Sequence, residues 1–566
     1  MMGLRIGILV AVTAVFIVCP VRVRAALTVT DLVCEYEVNP IGIGVPQPRL
    51  GWKIVSDQRG VLQAAYQVRC ADTPESLRAG QDLIWDTGRV ESGRSLHVPY
   101  AGPPLRSRQR VYWQVRVWGH SQPGRGPQAD AAGRDLASAW SDPAFWELGL
   151  LGPGDWSASW IEPDWPEDPD TSNPCPMLRK EFVLDSGVRR ARVYATAHGV
   201  YALTLNGLRV GDGLFAPGWT DYDKRLQVQT YDVTDLVRQG RNAVGVTLGD
   251  GWYRGRLRQG KRRNLYGRTL GLLMQIEVEL EDGTRTQVLT DGSWRGTTGP
   301  ILRSDFYNGE TYDARLVRAG WDQVGHDDSS WGRVQVRPLR KDHLAAQVGP
   351  PVRVMEEIRP ARVVQTPSGQ TVVDMGQNMV GWVRIRAKGP AGTRIRLRHA
   401  EALDSQGELY TANLRSAQQV DEYVLAGTGE ELLEPHFTFH GFRYVGVEGW
   451  PGSLALEQWT GVVIYSGFAR TGQFTCSDPL INRLQENIWW GQRGNFVDIP
   501  SDCPQRDERL GWTGDAQVFA RTACFNAQVA GFYTKWLADL KAEQHPDGAV
   551  PHVVPDTYTQ SGSLGR

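Results

Sequence analysis

The chain has 566 residues, which at roughly 100–200 residues per domain gives several domains with cores of their own and no need for metal or disulfide staples. Lys and Arg total 62 against 63 for Asp and Glu, a net charge of -1 with no basic stripe or block of like charge, which speaks against a nucleic-acid or anionic-membrane partner. Gly reaches 63 and Trp 21, while helix-favouring segments are scarce before residue 475, a composition of short strands and tight turns.

The first element is a secretory signal over residues 1–25. Arg5 supplies the positive region, Ile6 to Cys19 is an apolar run too short to span a bilayer, and the small Ala25 precedes Ala26. Arg22 and Arg24 are atypical so close to a cleavage site. The expected location is secreted or periplasmic, with no membrane partner after cleavage. Cys34, Cys70, Cys175, Cys476, Cys503 and Cys524 then remain, without CxxC spacing. Cys34 and Cys70 could pair, though nothing in the sequence demands it.

Residues 26–151 carry the signals of a β-sandwich. Val111, Trp113, Val115 and Val117 alternate with Tyr112, Gln114, Arg116 and Trp118, and a Gly/Pro/Gln-rich exposed loop runs from Ser121 to Gly133. With Ala65-Tyr66-Gln67-Val68 and Ala139-Trp140-Ser141-Asp142, the module is similar to a fibronectin type III domain. Residues 152–340 form a second region. Tyr201–Leu205 enters an Asn206-Gly207 turn, and Val233 to Val246 reads as a capped turn leading into a buried strand. This region resembles a galactose-binding jelly-roll, whose loop aromatics Trp219, Trp252, Tyr222 and Tyr253, with Asp221, are candidate auxiliary sugar contacts. The alternative is that these rings pack the sandwich. Asp and Asn loops of the jelly-roll could hold Ca²⁺, but no spacing as specific as an EF-hand loop occurs, and no cofactor is required. Residues 345–468 form a further, concanavalin-like β-sandwich, with Val383–Arg386 and Arg394–Arg398 alternating between core and a charged solvent face.

The pattern changes at Cys476, within a last region spanning 469–566. Ser477-Asp478-Pro479 starts a helix along which Leu480, Leu484 and Ile488 repeat at i+4. Helices follow at Asp515–Ala523 and at Gln528–Gln544, the latter with Val529, Phe532, Tyr533, Trp536 and Leu540 on one side. Between the first two lies a loop carrying Asp498, Asp502, Asp507, Glu508 and Asp515 with Arg506, Arg509 and Trp512. No regular period accounts for them. Several carboxylates beside an aromatic and an arginine suit glycosidic cleavage: one carboxylic acid protonates the leaving oxygen, and others hold sugar hydroxyls and stabilise oxocarbenium-like charge. Spacing alone leaves a sugar site, a metal site and structural salt bridges all open. No P-loop, GxGxxG fingerprint or HExxH is present.

DCPQRDERLGWTGDAQ (502–517) closely resembles the motif of α-L-rhamnosidases of glycoside hydrolase family 78. The likeness extends through NIWWGQRGNF (487–496), FTFHGFRYVGVEGWPG (437–452), RHAEALDSQGELYTANLR (398–415), DMGQNMVGW (374–382), SDFYNGETYDAR (304–315) and LFAPGWTDYDKR (214–225). It covers essentially the whole chain after the signal, in the family's domain order. The resemblance implies an inverting hydrolase of terminal α-L-rhamnosides on glycosides or polysaccharides. Glu508 matches its general acid, with Asp507 the adjacent rival, and Asp502, Arg506, Trp512 and Asp515 match residues that bind the rhamnose. Asp502 and Asp515, as like charges, would favour a protonated Glu508. In the family the general base is a Glu supplied from the far part of an (α/α)6 six-hairpin barrel. The resemblance therefore implies that the barrel is only begun here and that its base lies beyond Arg566. On that expectation the chain is a C-terminally truncated member, inactive or nearly so. The alternative is a catalytically dead protein that binds rhamnosides through its jelly-roll.

Overall fold

The computed structural model describes residues 27–121, 136–260 and 262–558. The signal at 1–25, the loop after Ser121 and the closing SGSLGR lie outside the described residues. The chain divides into two compact units, one built from Leu50–Val98 and Tyr112–Ala144 with the strand ending at Val33, the other from Cys34–Arg49, Pro99–Val111 and Phe145 onward.

In the first unit, β1 (Val61–Ala71) and β2 (Arg110–Ser121) pair antiparallel from Val61↔Ser121 to Ala71↔Tyr112. The alternation read from the sequence puts Val111, Trp113, Val115 and Val117 wholly inside. Cys70 is a buried free thiol, so it forms no bridge to Cys34. Residues Cys34–Arg49, Pro99–Val111 and the stretch from Phe145 within 26–151 cluster by contact with the second unit. Within it Arg108 bonds Asp155 at 2.9 Å and Glu277 at 2.5 Å, and Arg192 bonds Glu147 at 2.7 Å, ion pairs that tie residues 99–111 and 145–151 to the jelly-roll strands.

The jelly-roll of the second unit contains β3 (Pro176–Leu184), β4 (Val188–His198), β5 (Val200–Leu205), β6 (Leu226–Asp232), β7 (Gly240–Gly249) and β8 (Gly271–Leu280). They follow the orders β5-β7-β3 and β8-β4-β6 at the two ends of one twelve-stranded path. The Asn206-Gly207 hairpin forms as expected: φ is 53° and 82°, and Leu205 faces Leu208 across a two-residue turn.

The second sandwich is a ten-stranded sheet with the run β9-β12-β11-β13-β10-β14. Its members are β9 (Gly309–Asp313), β10 (Thr371–Lys388), β11 (Arg394–Ala400), β12 (Val420–Val424), β13 (His440–Glu448) and β14 (Trp459–Ser466). Strand β9 comes from the chain region assigned to the jelly-roll, and it lies parallel to β12 with Tyr312 opposite Tyr423. The turn before it, Asp305 to Asn308, is thereby fixed against the helical region.

Three helices close the described chain: α1 (Pro479–Asn495), α2 (Thr513–Asn526) and α3 (Ala530–Glu543). The Asp478 side chain caps α1 by accepting from the Leu480 amide at 2.8 Å. The side of α1 that packs carries Trp489, Gln492 and Arg493, whereas the expected apolar stripe faces out, Leu480 being 78% exposed. The i+4 spacing marked a helix face correctly but not the face that is covered here. Between α1 and α2 the strand pair Phe496–Val497 and Ile499–Pro500 turns at Asp498. The Asp498 carboxylate accepts from the Trp219 amide at 2.5 Å and from Lys535 Nζ at 3.0 Å, joining jelly-roll, loop and α3 at one point.

Candidate active site

The loop from Asp502 to Trp512 is tied to itself at its base. The Asp502 amide donates to the Leu510 carbonyl at 3.0 Å, and the Leu510 amide donates to Asp502 Oδ1 at 2.8 Å. Within this ring Arg506 lies between two carboxylates: Nη2 donates to Asp502 Oδ2 at 3.0 Å and Nε to Glu508 Oε2 at 3.1 Å. Glu508 Oε2 also accepts from Arg415 Nη1 at 3.0 Å, while Oε1 accepts from the Trp512 indole at 3.2 Å. Asp502, Arg506, Glu508 and Trp512 are therefore one hydrogen-bonded group. Burial is the main force pushing the Asp502 carboxyl above its usual range; the Cys503 thiol, the Leu510 amide and Arg506 oppose it, and the charge of Glu508 adds to it.

Asp515 stands apart. It is exposed in the first turn of α2, and with Asp502 it lines a cleft of about 560 Å³ between α1 and α2, walled by Gln492, Phe496 and Phe519. Asp507, the rival acid, is committed elsewhere. Its Oδ2 accepts from the Ser416 hydroxyl, from the Ser416 amide at 3.3 Å and from the Gly260 amide at 3.2 Å, and it is almost wholly buried. Asp507 fastens the loop to the second sandwich, and Glu508 is left with the sugar-compatible side chains.

The support beneath Glu508 was not legible in the sequence. Arg509 is almost wholly buried. It donates to the carbonyls of Phe306 (2.8 Å), Phe439 (3.0 Å), Gln505 (3.1 Å) and Arg506 (3.1 Å), and its guanidinium lies over the Tyr307 and Phe439 rings. Tyr307 donates its hydroxyl to the Glu508 carbonyl at 2.5 Å. Glu508 itself has φ of 151°, a backbone region that is otherwise almost confined to glycine. Arg415, at φ 58° in a turn of the second sandwich, is the other residue that sequence reasoning missed. Its only signal was its place at the end of the 398–415 motif.

The five jelly-roll candidates are interior. Trp219 stacks on Trp252 at 5.8 Å, Tyr253 on His198 at 4.7 Å, and the Tyr222 hydroxyl donates to the Gly218 carbonyl at 3.0 Å. Asp221 pairs with Lys224 at 3.3 Å. With Trp219 1% and Trp252 4% exposed, no ring face is free for a sugar, and packing accounts for all five.

Among the described residues two groups have the composition to hold a metal ion: His399, Asp421 and His440, and Asp502, Cys503 and Glu508. Neither lies in the jelly-roll. In the second group Arg506 already occupies both carboxylates, and burial, followed by the Asp502 charge, pushes the Cys503 thiol far up, which keeps it protonated and a poor ligand.

Four family models match the chain. They describe a Rha78A-like N-terminal immunoglobulin domain (residues 29–152), an alpha-L-rhamnosidase N-terminal domain (186–356), a bacterial alpha-L-rhamnosidase concanavalin-like domain (364–465) and a bacterial alpha-L-rhamnosidase 6 hairpin glycosidase domain (469–564). The opening module is thus of immunoglobulin type, within the sandwich class read from the sequence. The chain is 37% identical to an α-L-rhamnosidase of Streptomyces avermitilis over 96% of this chain and 67% of that protein. It is 40% identical to one from Formosa agariphila, over 92% of this chain and 55% of that protein. The solved α-L-rhamnosidase of Aspergillus terreus superposes with a TM-score of 0.87 at 43% identity, covering 94% of this chain and 60% of that one. The Streptomyces avermitilis structure, complexed with L-rhamnose, gives 0.87 at 36% identity, covering 94% and 66%. The chain therefore spans between about half and two thirds of the length of these relatives.

Proposed function

Because the chain belongs to the α-L-rhamnosidases of glycoside hydrolase family 78, we propose that it hydrolyses terminal α-L-rhamnosyl residues of glycosides or polysaccharides, with Glu508 as general acid. The observation that carries the reading is the single hydrogen-bonded group of Asp502, Arg506, Glu508 and Trp512. In this reading Glu508 gives its proton to the glycosidic oxygen as the C1–O bond breaks, and the aglycone leaves as an alcohol. Asp502 and Arg506 hold the sugar hydroxyls, and Trp512 offers its ring to the rhamnose methyl group, with Asp515 approaching from the cleft wall. Water adds to C1 from the opposite face, giving inversion. That water is activated by a second carboxylate roughly 6.5–9.5 Å from the acid, which the family resemblance assigns to the far part of the barrel.

The complex of the Streptomyces relative with L-rhamnose supports the sugar assigned to this pocket. A purely binding role through Trp219 and Trp252 is less well supported, since both rings are buried. The same reading has the protein exported, on the strength of Arg5 and the apolar run Ile6 to Cys19.

Leaving-group dependence tests the acid. Glu508→Gln should cut turnover of an alkyl α-L-rhamnoside by about 10²–10⁴-fold, the range for a lost general acid, and that of a 4-nitrophenyl rhamnoside far less, because its leaving group needs little protonation. Equal losses on both substrates, or none, remove Glu508 from the role. The anomer released first, read by proton NMR, tests inversion separately.

A further inference from the structure

Three side chains that the proposed reaction does not use meet inside the second sandwich. His399 on β11, Asp421 on β12 and His440 on β13 are each wholly buried, and their ligand atoms lie within 4.8 Å of one another. His440 Nε2 stands 3.1 and 3.0 Å from Oδ1 and Oδ2 of Asp421, and Oδ1 also accepts from the Glu310 amide at 3.0 Å. His399 Nδ1 faces the Gln419 carbonyl at 3.1 Å. That carbonyl can only accept, so Nδ1 carries the proton and Nε2 presents a lone pair. The lone pair has no partner among the described residues, and it faces Asp421 Oδ2 at 4.0 Å. Two acceptors confronting each other in a dry interior satisfy nothing, and a cation between them satisfies both.

We propose that His399, Asp421 and His440 form a structural site for a divalent ion of the zinc type. Two imidazole nitrogens and one carboxylate oxygen are a donor set that suits Zn²⁺, whereas Ca²⁺ takes six to eight oxygens. Donors around a tetrahedral zinc with bonds of about 2.0–2.1 Å stand about 3.3 Å apart. The two separations from Asp421 Oδ2, 3.0 Å to His440 Nε2 and 4.0 Å to His399 Nε2, bracket that value; because the two rings stack at 4.1 Å and 21°, one imidazole must also turn for both nitrogens to face one ion. His399 Nε2 already offers its lone pair. At His440 the ion displaces the proton that Nε2 shares with Asp421, breaking one N–H bond as the N–metal bond forms. That proton moves to Nδ1, which has no partner among the described residues, and the ring stays neutral.

The ion would brace the floor of the 502–515 loop. Gln419, adjacent to the cluster, donates to the His399 and Gly441 carbonyls at 3.2 Å each, and its Oε1 accepts from the Gly441 amide at 3.1 Å and from Arg509 Nη2 at 3.4 Å. Arg509 in turn holds the backbone around Glu508.

The test reads metal and not turnover, so its outcome is independent of the hydrolase reading. Protein produced in zinc-supplemented medium and dialysed exhaustively is expected to retain about one zinc per chain by mass spectrometry, as a buried structural site should. His399→Gln and Asp421→Asn, each folded by circular dichroism, should drop to background. Should those variants not fold, chelator-treated wild type supplies the second measurement: added zinc raises its melting temperature, and added calcium does not. A wild type without zinc and without a zinc-dependent melting shift overturns the site. Unchanged stoichiometry in a folded His399→Gln variant does the same, since the ion then sits elsewhere.

Discussion

Glu543 offers the sharpest test of the packing between α3 and the jelly-roll. It is the last residue of α3 and almost wholly buried; Oε2 accepts from the Asp556 amide at 2.7 Å, and Oε1 has no partner among the described residues. Burial first, then the charge of Asp221, pushes its carboxyl up to about 8; the Asp556 amide and the Lys224 charge oppose this, and the Asp556 charge adds to it. A carboxyl raised in the folded state contributes stability that is fully present below the unfolded value and lost as pH rises through the folded one. From the ordinary glutamate value of 4.5 to about 8 the folded chain holds a proton that the unfolded chain has released. Stability therefore falls by up to about 1.4 kcal/mol per pH unit over that window, about 5 kcal/mol in all, and is flat above it. Glu543→Gln removes the titration and keeps an acceptor for the Asp556 amide. Melting temperatures of wild type and variant are expected to be close at pH 5 and to diverge steadily up to pH 8.5, with the variant the more stable. A difference that stays constant with pH, or a variant that loses ground as pH rises, refutes the account of Glu543.

The two arginines around the acid separate burial from contact. Arg509→Met leaves carbonyls of Phe306, Phe439, Gln505 and Arg506 without their donor in a dry interior, and should cost roughly 3–5 kcal/mol, read from the urea midpoint. Arg415→Gln breaks a 3.0 Å pair with Glu508, but its side chain is 48% exposed, so screening holds the stability loss below about 1 kcal/mol. Its effect should fall on hydrolysis. A larger stability loss for Arg415→Gln than for Arg509→Met would reverse the assignment of support and site. Ser416→Ala removes a hydroxyl that bonds Asp507, and should release the 502–512 segment to faster proteolysis with little change in melting temperature.

Legibility differed with the range of the interactions involved. Local signals were sufficient for the strands and turns: period-two burial of Trp113, Val115 and Val117 and the Asn206-Gly207 turn need no partner to specify them. The helices were legible for the same reason, through the Asp478 cap and the Pro479 start. Which face of α1 is covered depends on distant chain, and the i+4 spacing of Leu480 and Leu484 marks the helix without specifying it. At the site, composition and motif gathered Asp502, Arg506, Glu508 and Trp512, all within one short loop. Arg415 and Tyr307 reach Glu508 from 93 and 201 residues away, and no spacing rule can announce such contacts. For the jelly-roll aromatics the sequence left packing and sugar contact both open, since a loop Trp looks alike whether it meets a ligand or, as Trp219 does, is buried.

The backbone of Glu508 bears on its role independently of any motif. At φ 151° a non-glycine residue is strained by about 1–3 kcal/mol, and a glycine there would not be. The surroundings are nonetheless built to hold the strained form: Tyr307 bonds the Glu508 carbonyl, Arg509 pins the carbonyls of Gln505 and Arg506, and Asp507 is anchored from the other side by Ser416 and Gly260. A structural carboxylate would gain nothing from this arrangement, because Asp507 already supplies the link to the second sandwich. What the strained conformation does achieve is direction. The Glu508 carboxyl meets Arg506, Trp512 and Arg415, while Asp507 Oδ2 meets Ser416 and Gly260; the Arg415 guanidinium is shared, 3.0 Å from Glu508 and 3.8 Å from Asp507. Within the proposal that one of these two acids gives the proton, the shorter Arg415 contact and the Arg506 and Trp512 bonds are what support Glu508 over Asp507.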